Sequence, residues 1–288
     1  MVGPDPEETA TTVHHLNCGT MHPYGFPQDD ATGGFFKRGY GVVHCLLVDT
    51  GDGVALVDTG WGMRDCTDPS PAVRQFADIV RSALLPEETA IRQLGTLGYS
   101  PADVKHIFVT HLHMDHAGGL PDFPEALVHA SAGEILAFLH PRSLVEWRAY
   151  RPEHRAHGPR WQAHTPRGFQ WFGLECAPPI RIGETEFVLV PFEGHTRGHC
   201  AVAVRVGDRW LLHCGDAYGY CRQVDPVQPY IHPSGKLMET VTTTAFNMPR
   251  RHWLSLRQLR EAHGDHVSTF CAHDAHEFEV AQSSIGAR

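Results

Sequence analysis

Two apolar runs, Gly41 to Asp49 (GVVHCLLVD) and Val54 to Asp58 (VALVD), flank the turn residues Thr50-Gly51-Asp52-Gly53, a pattern that predicts a β-hairpin. Val104 to Thr110 (VKHIFVT) is β-branched and aromatic and reads as a buried strand. Shorter apolar segments predict strands at His14–Gly19, Ala126–Ala130, Ile180–Ile182, Thr185–Phe192, Cys200–Val206, Arg209–Cys214 and Val267–Cys271. Helical spacing runs over Pro71–Leu85 and Glu87–Leu97, interrupted at Pro86. Ser131-Ala132-Gly133-Glu134 has the form of a capping box opening a helix through Leu139. A later helix is expected from about Pro249 to His263, with Arg257 and Arg260 on its polar face. Two halves in which strands and helices mix predict an α/β fold, two sheets packed together with helices outside.

The exceptions to this pattern shape the expected domain. Residues 1 to about 12 are acidic and Pro-rich and are expected to fray. A Gly/Pro-rich loop at about 20–39 carries Tyr24, Phe26, Phe35 and Phe36 and suits either a pocket wall or a flap packed on the core. Residues 141–171 interleave six arginines, among them Arg148 and Arg155, with Trp147, Tyr150, Trp161, Phe169 and Trp171. That segment reads as an inserted cap in a single domain of 1–288, suited to an acyl chain, an anionic group or a subunit interface. An irregular stretch follows at Ala217–Met238.

Composition narrows the class. With 288 residues and 42% hydrophobic content, the chain can bury a sizeable core. A formal charge of −9 argues against non-specific nucleic-acid binding. Eight cysteines without a CxxC pair suit neither a zinc ribbon nor a disulfide framework, and reduced thiols are expected. The N-terminus shows no signal-peptide pattern and no segment has the length to span a bilayer, so a cytoplasmic protein is expected.

The chemistry concentrates in His111-Leu112-His113-Met114-Asp115-His116, followed by Ala117-Gly118-Gly119. Four candidate ligands within six residues cannot converge on one helix face, but they can on a loop leaving a strand. Imidazoles with a carboxylate suit zinc, with iron, manganese or nickel as alternatives; a His-rich surface turn is the plainer reading. His195, Asp216 and His273 stand at further strand ends, bringing the candidates to seven, enough for two divalent ions. Asp58 closes the second hairpin strand, where a carboxylate can support a metal-bound imidazole. Two cations sharing a water lower its pKa from about 16 towards neutrality, so that hydroxide can attack a carbonyl or phosphoryl centre.

In the order VDTG, HLHMDHAGG, EGHTRGH, CGDA, CAHD the chain resembles the metallo-β-lactamase superfamily. The resemblance implies an αββα sandwich, two mixed sheets with helices on the outer faces and the metal site at one edge. It implies one site of His111, His113 and His195, a second of Asp115, His116 and His273, and Asp216 bridging both. Asp58 and His199 would act from behind the ligands, and Asp115 would also handle a proton. His213, which has no family role, is expected to pack.

Within the superfamily the pattern is most similar to the N-acyl homoserine lactonases, through HLHxDHAGG, LGYSPADVKHIFVTH and a final His-Asp. That likeness implies a tyrosine on the substrate carbonyl, Tyr218 with Tyr220 second, although Tyr218 lies one residue nearer the Asp than the pattern has it. Arg197, where a small residue or Pro is common, is taken as substrate-facing. The expected function is therefore metal-dependent opening of a lactone or related ester, with a small-molecule substrate and no nucleic-acid or membrane partner. A homodimer is allowed for. Thioester or β-lactam hydrolysis, a mononuclear iron persulfide dioxygenase and a catalytically silent binding protein are the alternatives. His113, where di-iron relatives carry Glu, disfavours oxygen reduction.

Overall fold

The computed structural model describes residues 11–26, 36–231 and 251–285. The expected frayed N-terminus up to residue 10, Phe35, the end of the stretch from Ala217 and the start of the helix from Pro249 lie outside those residues. The strands are β1 (Thr12–Asn17), β2 (His44–Asp49), β3 (Val54–Val57), β4 (Val104–Phe108), β5 (Leu127–Ser131), β6 (Arg160–His164) and β7 (Phe169–Trp171). They continue as β8 (Leu174–Cys176), β9 (Ile180–Ile182), β10 (Thr185–Pro191), β11 (Cys200–Val206), β12 (Arg209–His213) and β13 (Val267–Phe270). The helices are α1 (Met63–Thr67), α2 (Pro71–Val80), α3 (Ala90–Thr96), α4 (Met114–Ala117), α5 (Ala132–Leu139), α6 (Leu144–Ala149), α7 (Arg251–His263) and α8 (Ala275–Ile285).

Two sheets form, one ordered β1-β2-β3-β4-β5-β6 and the other β13-β12-β11-β10-β9, with β7-β8 a separate hairpin. Both are mixed: β3, β4, β5 and β6 run parallel, as do β12 and β13, and the other pairings within the two sheets are antiparallel. The central strands are apolar on both faces because each face meets another layer. In β2, Leu46 and Val48 enter the core between the sheets while Cys45 and Leu47 face the helices outside. In β11, Val202 and Val204 point inward while Ala201 and Ala203 meet Trp253, Leu256 and Leu259 of α7 on the other side. The result is the expected αββα sandwich.

Several boundaries move for local reasons. Helix α2 stops at Val80, five residues short of expectation, because Arg81 turns left-handed (φ 54°). The next helix starts late, after a 3-10 turn at Pro86–Glu88. Of residues 141–171, β6 pairs in parallel with β5 and so belongs to the sheet, while α6 lies beyond it. His164 of β6 closes a ring column of Phe187, Phe108, His129 and His164, with successive centroids 4.3, 4.3 and 5.2 Å apart. Arg260 does not face solvent as the helical spacing suggested; it bonds Glu277 of α8 at 2.7 Å.

Candidate metal centre

Each ligand candidate sits just past a strand whose backbone bonds end there. His111 and His113 follow β4, His195 follows β10, Asp216 follows β12 and His273 follows β13. Asp115 and His116 lie on the single helical turn α4, so the motif is a loop closed by one turn of helix rather than loop throughout. The double glycine lets that turn sit against the strand end at 58–62. A Cβ on Gly118 would fall 2.8 Å from the Gly60 carbonyl oxygen, and one on Gly119 would fall 2.9 Å from that of Thr59. The Thr59 amide and hydroxyl both donate to the His116 carbonyl, at 2.9 and 2.8 Å.

The seven side chains converge. Three sets of atoms lie within 4.8 Å of one another: His111, His113 and His195; His111, His116 and Asp216; Asp115, His116 and His273. Asp216 stands between the outer two. Its Oδ2 is 3.1 Å from His195 Nε2 and 3.9 Å from His111 Nε2. Its Oδ1 is 3.2 Å from His273 Nε2 and 3.4 Å from His116 Nε2. One carboxylate thus offers a different oxygen to each half.

Behind the cluster, hydrogen bonds fix which imidazole nitrogen faces it. Asp58 Oδ2 accepts from His116 Nδ1 at 2.8 Å and from the Thr110 hydroxyl at 2.7 Å, while Oδ1 takes the Thr110 amide at 2.7 Å. Thr110 Oγ1 lies 3.1 Å from His111 Nδ1, and His273 Nδ1 donates to the Val42 carbonyl at 2.8 Å. In each of these rings Nε2 is left for the centre. His199 donates from Nδ1 to Phe192 and accepts the Asp216 amide on Nε2 at 2.9 Å, which anchors Asp216. His213 Nε2 donates to the His44 carbonyl at 2.6 Å, a packing role.

Charge follows the same division. Burial, then neighbouring imidazoles, hold His111 and His113 well below the usual imidazole range. Burial opposes charge on His116 as well, but Asp216, Asp115 and Asp58 outweigh it and raise its pKa well above the ordinary value. Asp216 is disfavoured as an anion by burial, yet His273, His116 and His195 keep it well below the carboxylate range. Three carboxylates therefore demand positive charge at this spot.

Not every expected residue reaches it. The Tyr218 ring is buried and its hydroxyl donates to Glu277, at 3.0 Å to Oε1 and 2.9 Å to Oε2, while Arg260 donates back to it at 2.9 Å. Glu277 also takes the Cys271 amide at 2.8 Å, so this trio braces the strand ends carrying Asp216 and His273. Tyr220 is buried at the start of the turn Cys221–Val224. Arg197 is engaged by Glu146 of α6 through Nε at 2.6 Å and Nη2 at 3.1 Å. Its charge is thereby paired within the protein instead of facing a ligand. Glu134, read as the far end of a capping box, accepts instead from the Leu112 amide inside the metal loop, at 2.8 Å. The Ser131 half of the box holds, accepting the Glu134 amide at 3.0 Å.

The donor set fits a divalent cation. His111 Nε2, His116 Nε2 and Asp216 Oδ1 are buried without a hydrogen-bond partner, and such atoms cost about 1–3 kcal/mol each unless something coordinates them. Nitrogen and carboxylate oxygen are the ligands that zinc and its neighbours take.

The family model described as the Metallo-beta-lactamase superfamily matches residues 38–243. A probable metallo-hydrolase of Mycobacterium tuberculosis is 40% identical over 285 residues, 98% of this chain and 86% of that protein. An N-acyl homoserine lactonase of Rhizobium radiobacter is 32% identical over 81 residues, 28% of this chain and 31% of the lactonase. Among solved structures, an N-acyl homoserine lactone hydrolase with N-hexanoyl-L-homoserine bound at its catalytic metal centre superposes with a TM-score of 0.65. Identity there is 19%, with 94% of this chain and 96% of that chain covered. A probable metal-dependent hydrolase from Staphylococcus aureus gives 0.65 at 15% identity, covering 92% and 90%. At such identities the likeness is one of fold.

Proposed function

The chain belongs to the metallo-beta-lactamase superfamily and is a metal-dependent hydrolase, and from this premise we propose that it holds two divalent ions, zinc by preference, and opens a lactone or related ester. The observation that carries the two-ion reading is Asp216, with Oδ2 towards His111 and His195 and Oδ1 towards His116 and His273. His111, His113 and His195 would hold one ion, Asp115, His116 and His273 the other, with Asp216 shared. Bound there, the ions supply a water activated near neutral pH and a Lewis acid for the substrate carbonyl.

The chain's own residues do the rest. Asp58 and the Val42 carbonyl keep the imidazoles aimed, so little reorganisation accompanies reaction. Asp115, 5% exposed with Oδ2 3.7 Å from His273 Nε2, would ligate through one carboxylate oxygen and could hold a proton for the leaving alkoxide on the other. Leu144, Val145 and Trp147 are exposed on α6, which Arg197 and Glu146 tie to the His195 loop. An acyl chain suits that apolar surface. The local similarity to lactonases supports lactones within the ester class. With its hydroxyl bound to Glu277, the Tyr218 phenol is engaged within the protein and is not assigned to the substrate carbonyl.

The test is a panel of N-acyl homoserine lactone, thioester, β-lactam and phosphodiester, run on protein whose metals have been counted. Lactone or ester turnover that disappears with chelator and returns with zinc is expected. Preference for another class would displace the substrate reading. One iron per chain with oxygen uptake would replace it by the dioxygenase.

A further inference from the structure

Glu134 is a fully buried carboxylate on α5, 0% exposed, and the sequence offers no sign of a role beyond helix capping. Its Oε1 accepts from the Leu112 amide, between His111 and His113, at 2.8 Å. The same oxygen accepts from the Tyr150 hydroxyl at 3.1 Å, and the Tyr150 ring lies 5.6 Å from that of His113. Its Oε2 accepts from the hydroxyl of Thr196, the residue after His195, at 2.5 Å. Three donors meet a group that, ionised, only accepts.

The residues bonded in this way, Leu112 and Thr196, stand directly beside all three residues of one half-site, whereas Asp115 and His116 of the other follow on the helical turn α4, which Glu134 does not bond. His116 and His273 are oriented instead by Asp58 and the Val42 carbonyl. Resting on the two-ion reading above, we propose that Glu134 is a positioning residue for the His111–His113–His195 half: it staples the two ligand-bearing loops at a fixed separation and so sets the metal affinity of that half alone. Glutamine at this position would set an amide N–H2 against donors. Aspartate would fall one methylene short of the loops.

Cobalt(II) titration of the full chain, followed by its visible absorption, separates the possibilities. His113→Ala and His273→Ala identify which absorption belongs to which half. Glu134→Gln is expected to weaken the half lost in His113→Ala by about 10–100-fold, the range for groups that orient a ligand from behind, leaving the other half unchanged. Thr196→Val, which removes one donor at nearly constant shape, should act in the same direction by less, and it carries the test if Glu134→Gln does not fold. Unchanged affinity in both variants would overturn the proposal. So would equal weakening of both halves in step with a lower melting temperature of the cation-free chain, which is the signature of general destabilisation. A wild-type chain that takes up no second cobalt defeats the two-ion reading itself, and the proposal with it, before any substitution is made.

Discussion

Asp58→Asn changes one atom and should disable two imidazoles. Asp58 adopts a left-handed backbone, φ 56°, which asparagine tolerates and alanine does not, so the substitution leaves the turn intact. If the asparagine oxygen keeps the Thr110 amide, its N–H2 takes the place of Oδ2, 2.8 Å from His116 Nδ1. His116 must then accept on Nδ1 and carry its proton on Nε2, the atom that faces Asp216. Thr110 Oγ1, 2.7 Å from the same Asp58 oxygen, would turn to accept from the new amide and donate towards His111 Nδ1, 3.1 Å away. Both imidazoles would present N–H to the centre. One misdirected ligand of this kind typically costs 10–100-fold in metal affinity, about 1.4–2.8 kcal/mol; with two affected, the loss should reach about 100-fold or more. Separately, the cation-free chain should lose about 1.5–3 kcal/mol with the charged hydrogen bond. Chelator competition measures the first and denaturant unfolding of stripped protein the second. Asp58→Asn binding zinc as tightly as the wild type would refute the tautomer argument.

Three other substitutions probe separate parts of the account. Asp216→Asn should release both ions at chelator concentrations the wild type withstands, read by metal analysis, because its two oxygens face opposite halves. Tyr218→Phe should lower unfolding free energy by about 1–2 kcal/mol while kcat and KM stay put. A drop in kcat at unchanged stability would return the phenol to the substrate. His129 is depressed from 6.5 to about 3 by burial and then by His164 and His106. The unfolded chain therefore binds the extra proton first, and stability present above about pH 6.5 is lost as pH falls towards 3, at about 1.4 kcal/mol per unit. His129→Leu should flatten the unfolding-free-energy slope between pH 6 and 4 by that amount; an identical slope would remove His129 from the acid limb.

The layers and the ligand loop were legible because they depend on short-range pattern. Strands such as VVHCLLVD carry apolar residues on both faces, which only a strand covered on two sides needs, and HLHMDHAGG packs its ligands and close-approach glycines together. What escaped were partnerships made at long range. Glu134 stands three residues after Ser131, so a capping box accounted for it locally, whereas its carboxylate reaches Leu112 and Thr196. Arg260 looks solvent-facing on a helical projection that contains no Glu277. Arg197 meets Glu146 from 51 residues away. Tyr218 was placed by its spacing from Asp216, but the direction of a phenol is decided by what bonds it, here Glu277 and Arg260.

Anomalous diffraction from crystals of the zinc-loaded chain tests the central claim most directly. Two peaks should flank Asp216, one among His111, His113 and His195 and the other among Asp115, His116 and His273. A single peak, or zinc bound elsewhere with these side chains uncoordinated, would contradict a paired centre.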